Sequence, residues 1–214
     1  DTSFEGHQPM ESFDGRYILV FNGEIYNFPL LRSELMFYGY KFRGHSDTEV
    51  LICLWHCFGL SCLSMLNGMF SFAIWDSQLE NLFIVRDRSG IKPLFWLRTS
   101  DSILFSSEIK CLYPLVSKSD KIHGELLLRQ LSYLWLPGPD TLFSTIKSLE
   151  PGTYLFCNQQ SSPRIERWSP TCTASKPLIS DRNKAVDMTF DLLRASVHRQ
   201  MISDVPLGSF LSGG

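Results

Sequence analysis

The sequence has little charge for its length. Only 20% of its 214 residues are Asp, Glu, Lys or Arg, and the formal net charge is −2. No basic surface is available to read a polyphosphate backbone, so no nucleic-acid partner is expected. Long apolar runs are also scarce. No window is read as reaching the roughly 18 apolar residues that a bilayer span needs, so no membrane partner is expected. The opening DTSFEGHQPM lacks the layout of a secretory signal. Cysteine is too sparse for a disulfide scaffold, and Cys53, Cys57, Cys62, Cys111, Cys157 and Cys172 read as reduced thiols of a cytoplasmic protein. Cys53 and Cys57 flank His56 at helical spacing. The apolar Leu51, Ile52, Leu54 and Trp55 around them, and the want of a second ligand pair, favour buried hydrophobes over a metal site. No internal repeat is present.

What the chain does have is apolar bulk. Apolar residues make up 44% and aromatics 13%, enough for a sizeable core. Residues 16–21 read as a buried strand that stops at the turn signal Asn22-Gly23. Helices are predicted over 29–38, 48–58, 61–66, 108–113 and 124–134, with a short strand at 40–43. Apolar runs at 69–75, 82–86, 94–97 and 103–106, separated by turns, predict antiparallel hairpins, and 152–157 predicts one more strand. Residues 158–180 turn rich in Ser, Pro and Thr, and a boundary is placed there. A long helix over 181–202 follows, with Leu192, Leu193, Val197 and Met201 on one face, then a short strand at 205–211. The whole predicts an α+β domain of two antiparallel sheets covered by helices, then the opening of an α/β sheet.

Four segments could carry chemistry. At Asn22-Gly23-Glu24, a carboxamide and a glycine N–H lie side by side and could stabilise an oxyanion, with Glu24 suited to an ammonium group. From these residues alone a plain Asn-Gly turn is the stronger reading. At Ser46-Asp47-Thr48-Glu49, helix capping by Asp47 or a Ser46/Glu49 capping box competes with ammonium binding by Asp47. His45 beside them reads as a packing group rather than a base. The charges at 86–92 read as a hairpin turn pinned by local ion pairs rather than a phosphate site. The final Phe210-Leu211-Ser212-Gly213-Gly214 could form an anion cradle of N–H groups, and without a Lys it is not a Walker-type loop.

In combination, these strings resemble the glutamine-hydrolysing asparagine synthetase family. The matching strings are GHQPM (6–10), FNGEIYN (21–27), SDTEVL (46–51), LNGMFSFAIWD (66–76), RDRSGIKPLF (86–95), FSSEIK (105–110) and DVPLGSFLSGG (204–214), in the family's order. The resemblance implies a class II glutaminase with an Ntn-hydrolase fold, an αββα sandwich, over residues 1–168. It implies a linker over 169–180 and the start of a PP-loop synthetase domain over 181–214. It implies that Asn22 and Gly23 form the oxyanion hole and that Asn22, Gly23, Glu24 and Asp47 bind glutamine. Phe210, Ser212, Gly213 and Gly214 would contact ATP, which Mg²⁺ accompanies. Glutamine, aspartate and ATP are then the small-molecule substrates, and a homodimer is left open.

The family's nucleophile is an N-terminal Cys whose own amine acts as base, and an Arg clamps the glutamine carboxylate; position 1 here is Asp1. Both ends therefore read as internal to a longer chain, and the piece alone is expected to be inactive. Other readings stay open. They are a relative amidating a different carboxylate, another class II amidotransferase, a relative resembling β-lactam synthetases, and a silent binding module.

Overall fold

The protein is described by a computed structural model that covers residues 4–116, 120, 122–170 and 179–211. The strands are β1 (Met10–Glu11), β2 (Tyr17–Ile25), β3 (Gly68–Asp76), β4 (Asn81–Arg86), β5 (Phe95–Arg98), β6 (Ile103–Ser106), β7 (Ile146–Ser148), β8 (Thr153–Asn158) and β9 (Ser161–Arg167). The helices are α1 (Phe28–Phe37), α2 (Asp47–Phe58), α3 (Ile109–Leu112), α4 (Gly124–Tyr133) and α5 (Arg182–Arg199). Six strands form one antiparallel sheet in the order β1-β2-β3-β4-β8-β9, and three form a second in the order β6-β5-β7.

Strict alternation along the large sheet sorts its side chains into two cores. Tyr17, Leu19, Phe70, Phe72, Ile74, Val85, Tyr154 and Phe156 point outward to Leu31, Leu35 and the apolar face of α2. Their neighbours Ala73, Ile84 and Leu155 point inward, where Leu94, Leu149 and Trp96 meet them from the small sheet. A third cluster, Leu97, Leu112 and Ile146, fills the far face of the small sheet under α3. Helix, sheet, sheet and helix give the four-layer αββα sandwich.

α2 anchors the outer layer. Val50, Leu51, Leu54 and Trp55 are almost fully buried, each stabilising by about 1.5–3 kcal/mol relative to exposure. Together with the 3₁₀ turns that follow, α2 makes the one stretch among the described residues, Asp47–Met65, that is long and apolar enough to cross a membrane, at mean hydropathy 1.4. This corrects the reading that no window approaches a span. Half of that stretch is buried, so its apolarity serves this core.

Several local expectations are revised. β2 does not stop at Asn22-Gly23 but runs through them to Ile25, because β3 pairs with it residue by residue to Gly68. Residues 40–43 form a loop rather than a strand. Their N–H groups turn to local acceptors: Tyr40 bonds the Leu35 carbonyl, and Arg43 donates to Glu49. The runs at 82–86 and 94–97 do not pair with each other, since β4 pairs β8 while β5 begins the second sheet. The Ser/Pro/Thr-rich stretch hides β9, which pairs with β8 although most of its residues are exposed. Residues 205–211 have no regular structure, and no described strand borders them to complete a ladder.

Candidate functional site

β2 is flanked on both sides only in its first half. β1 pairs at Leu19 and Ile18 and goes no further, so from Phe21 onward one edge of β2 is open. Backbone N–H groups alternate in direction along a strand. On the open edge the Phe21 N–H is taken by Gln8 Oε1 at 2.6 Å, and the Ile25 N–H by Asp47 Oδ2 at 2.9 Å. Gly23 lies between them, so its N–H faces the same edge, and no side chain among the described residues accepts from it.

The glycine itself is required by β3. A Cβ at Gly23 would lie 2.3 Å from the Met69 carbonyl oxygen and 2.7 Å from the Phe70 Cα. The Phe70 N–H and carbonyl both turn to Asp87 instead, so Gly23 and Phe70 form a non-hydrogen-bonded pair, the narrower kind in an antiparallel ladder.

Asn22 rises from the inner face, on the side of Val20. It is exposed, no described group bonds its carboxamide, and it borders a cavity of about 230 Å³ with Gln8, Ser71, Phe105 and Ser107. Glu24, two residues on, emerges on the same face and is half-buried. Burial first, and the Asp47 charge second, raise its carboxyl above the ordinary value.

Asp47 is 8% exposed, and burial raises its carboxyl as well, against the pull of the Ile25 N–H. The Asp47 charge is thus felt at Glu24 across the end of β2. Asp204 adds a smaller repulsion on Glu24, which brings the segment after α5 within electrostatic reach.

Asp47 does not cap α2. Ser46 does, accepting from the Glu49 N–H at 3.1 Å, while the Glu49 carboxylate turns back to the N–H groups of Arg43 and Gly44. The capping box is thus half-formed, and Asp47 is left to tie the helix start to β2. His45 is exposed. Glu24 and Asp47 do not line the Asn22 cavity; the strand edge is what joins them to Asn22 and Gly23.

The 86–92 loop is held by hydrogen bonds rather than ion pairs. Arg86 donates to the carbonyls of Lys92, Gly90 and Leu149 and to Ser148 Oγ. Buried Asp87 accepts from Phe70, Ser89, Ile91 and Lys92 N–H groups. The backbone meets both charges here because the chain crosses between sheets.

No group of three or more His, Cys, Asp or Glu among the described residues could hold a metal ion. Cys53 and Cys62 are buried with thiols pushed up to about 12 by burial, but Cys57 at the end of α2 is exposed, so of the two read as buried hydrophobes only Cys53 packs into the core. Phe210 is exposed, and Ser212, Gly213 and Gly214 lie outside the described residues.

Two positioning residues escaped the sequence reading. Asn27 donates to the Met65 carbonyl and accepts from the Asn67 N–H, locking the end of β2. Gln8 ties the chain before β1 to Phe21. Both sit inside the strings GHQPM and FNGEIYN, but a side chain bonding backbone 13 residues away, as Gln8 does, or 38 and 40 away, as Asn27 does, leaves no local signal.

The two antiparallel sheets and their covering helices make an Ntn-hydrolase sandwich, with Asn22, Gly23 and the Glu24 and Asp47 carboxylates at the open end of β2. Residues 1–169 match the family model described as glutamine amidotransferase domain, and the chain belongs to that family. Residues 189–214 match the model described as asparagine synthase. The chain is 38% identical over 210 residues to asparagine synthetase [glutamine-hydrolyzing] 1 of Bacillus subtilis (strain 168), covering 98% of this chain and 33% of that protein. It is 32% identical over 219 residues to amidase chry2 of Gibberella zeae, covering all of this chain and 31% of that protein. The chain thus spans about a third of the length of the curated relatives it matches. Among solved structures, the glutamine phosphoribosylpyrophosphate amidotransferase of B. subtilis shares the fold at TM-score 0.58 and 23% identity, over 80% of this chain and 34% of that one.

Proposed function

We propose that this chain is the glutamine-binding part of an enzyme that draws ammonia from glutamine and uses ATP to convert aspartate to asparagine. The observation that carries the reading is the corner of β2. An unpartnered carboxamide at Asn22 and an outward N–H at Gly23 adjoin the Glu24 and Asp47 carboxylates. When a thiolate attacks the side-chain amide of glutamine, the carbonyl oxygen becomes an oxyanion. Asn22 and Gly23 donate to it, and Glu24 and Asp47 hold the α-ammonium. None of the described cysteines suits the attacking role, which needs thiol and free amine on one residue. All five are free, which supports a reducing compartment such as the cytoplasm.

The match of residues 189–214 to asparagine synthase supports the ATP-dependent half of the reading, with Phe210, Ser212, Gly213 and Gly214 opening the nucleotide loop. Mg²⁺ would arrive with the phosphates of ATP. The described residues offer it no ligand cluster of their own.

In the enzyme carrying this chain, Asn22→Ala lowers kcat for glutamine hydrolysis about 100-fold or more, while synthesis from free ammonia survives. Steady-state assays with each nitrogen source decide it, and an equal loss with both removes the oxyanion role. A second reading, amidation of a carboxylate other than aspartate, is favoured by the likeness to a protein named an amidase. AMP formation that depends on aspartate separates the two.

A further inference from the structure

Asn22 can serve an oxyanion only if Nδ2, not Oδ1, faces the substrate. No described group bonds the carboxamide in this structure, so something must set its direction when glutamine binds. Ser71 stands directly opposite Asn22 in the β2–β3 ladder. Opposed residues share a face, with Cβ atoms about 4.5–5.5 Å apart. Ser71 is only 3% exposed, borders the same cavity as Asn22, and has no hydrogen-bond partner among the described residues. On its other side, in register across β4, is Arg86, whose guanidinium is already engaged by the Lys92, Gly90 and Leu149 carbonyls and Ser148 Oγ. Asn22, whose carboxamide is likewise unbonded, is the cross-strand neighbour that can accept from the Ser71 hydroxyl.

We propose that Ser71 is a positioning residue whose hydroxyl donates to Asn22 Oδ1 and so turns Nδ2 toward the substrate oxygen. The inference rests on the oxyanion reading of Asn22. It acts on the transition state, so it shows in kcat and not in KM.

The test is a double-mutant cycle for glutamine hydrolysis in the enzyme carrying this chain, with melting curves as a folding control. Ser71→Ala should lower kcat about fivefold to tenfold and leave KM within about twofold. Ser71→Thr, which keeps the hydroxyl, should retain most of the rate. Added to Asn22→Ala, Ser71→Ala should cost nothing more, because it works through the group already removed. A silent Ser71→Ala, or one whose loss adds in full to that of Asn22→Ala, overturns the proposal and spares the oxyanion reading. A silent Asn22→Ala overturns both.

Discussion

The two halves of β2 differ in what holds them. The half from Tyr17 to Phe21 is paired on both sides where β1 reaches it, and its outward residues sink into the core beneath α2. The half from Asn22 to Ile25 has a ladder on one side only. Its free edge is held by single side chains, Asp47 on Ile25 and Asn27 on the turn before β3. The first half gives stability, and the second leaves donors and charges unmatched. A site needs unmatched groups, and they persist here because the first half and β3 fix the backbone that carries them.

Substitutions should reproduce that contrast. Leu19 is fully buried in the first half, and Leu19→Ala should cost about 2–5 kcal/mol in a urea titration. Gly23→Ala in the second half forces β2 and β3 apart and should cost about 1–3 kcal/mol by the same measurement. An unchanged midpoint would mean that the close approach to Met69 is not real.

Glu24→Gln should go the other way. The folded state raises the Glu24 carboxyl, so the folded protein holds that proton more tightly than the unfolded chain. Its contribution favours folding below the ordinary carboxylate value and is lost as pH rises through the raised value. Removing the charge should therefore raise Tm at pH 7, with the gain vanishing near about pH 4. Asp76, the β3 residue opposite Tyr17, makes the reverse case beside the first half. Burial works to raise it, but the Arg16 guanidinium and the Leu79 and Gln78 N–H groups together hold it below its ordinary value. Its contribution is present at neutral pH and lost on acidification. The smallest effect belongs outside the sandwich. Leu192 on α5 is exposed, and Leu192→Ala should leave the urea midpoint within about 0.5 kcal/mol.

Strongly periodic elements were legible in the sequence. α1, α2, β3, β4 and β6 fall within a residue or two of their predicted bounds, because the helices carry capping and stop residues and the strands are apolar runs bounded by turns. β9 was not legible, since an edge strand facing solvent has no apolar alternation to show. Asn22-Gly23 reads locally as a turn that ends the strand, and it is strand. The local Asn-Gly signal favours reversal, and only pairing with β3 overrules it.

By itself, the sequence determined the apolar spacing that makes two antiparallel sheets and their helices, and it placed Asn22, Gly23, Glu24 and Asp47 in suggestive strings. Tertiary structure decided that Asp47, 22 residues from Ile25, closes onto the β2 edge, that Gly23 must lack a side chain, and that Ser71 faces Asn22. The reason is that periodicity is a property of neighbours along the chain. A site corner is made by strands and helices whose pairing is fixed only when the core closes around them.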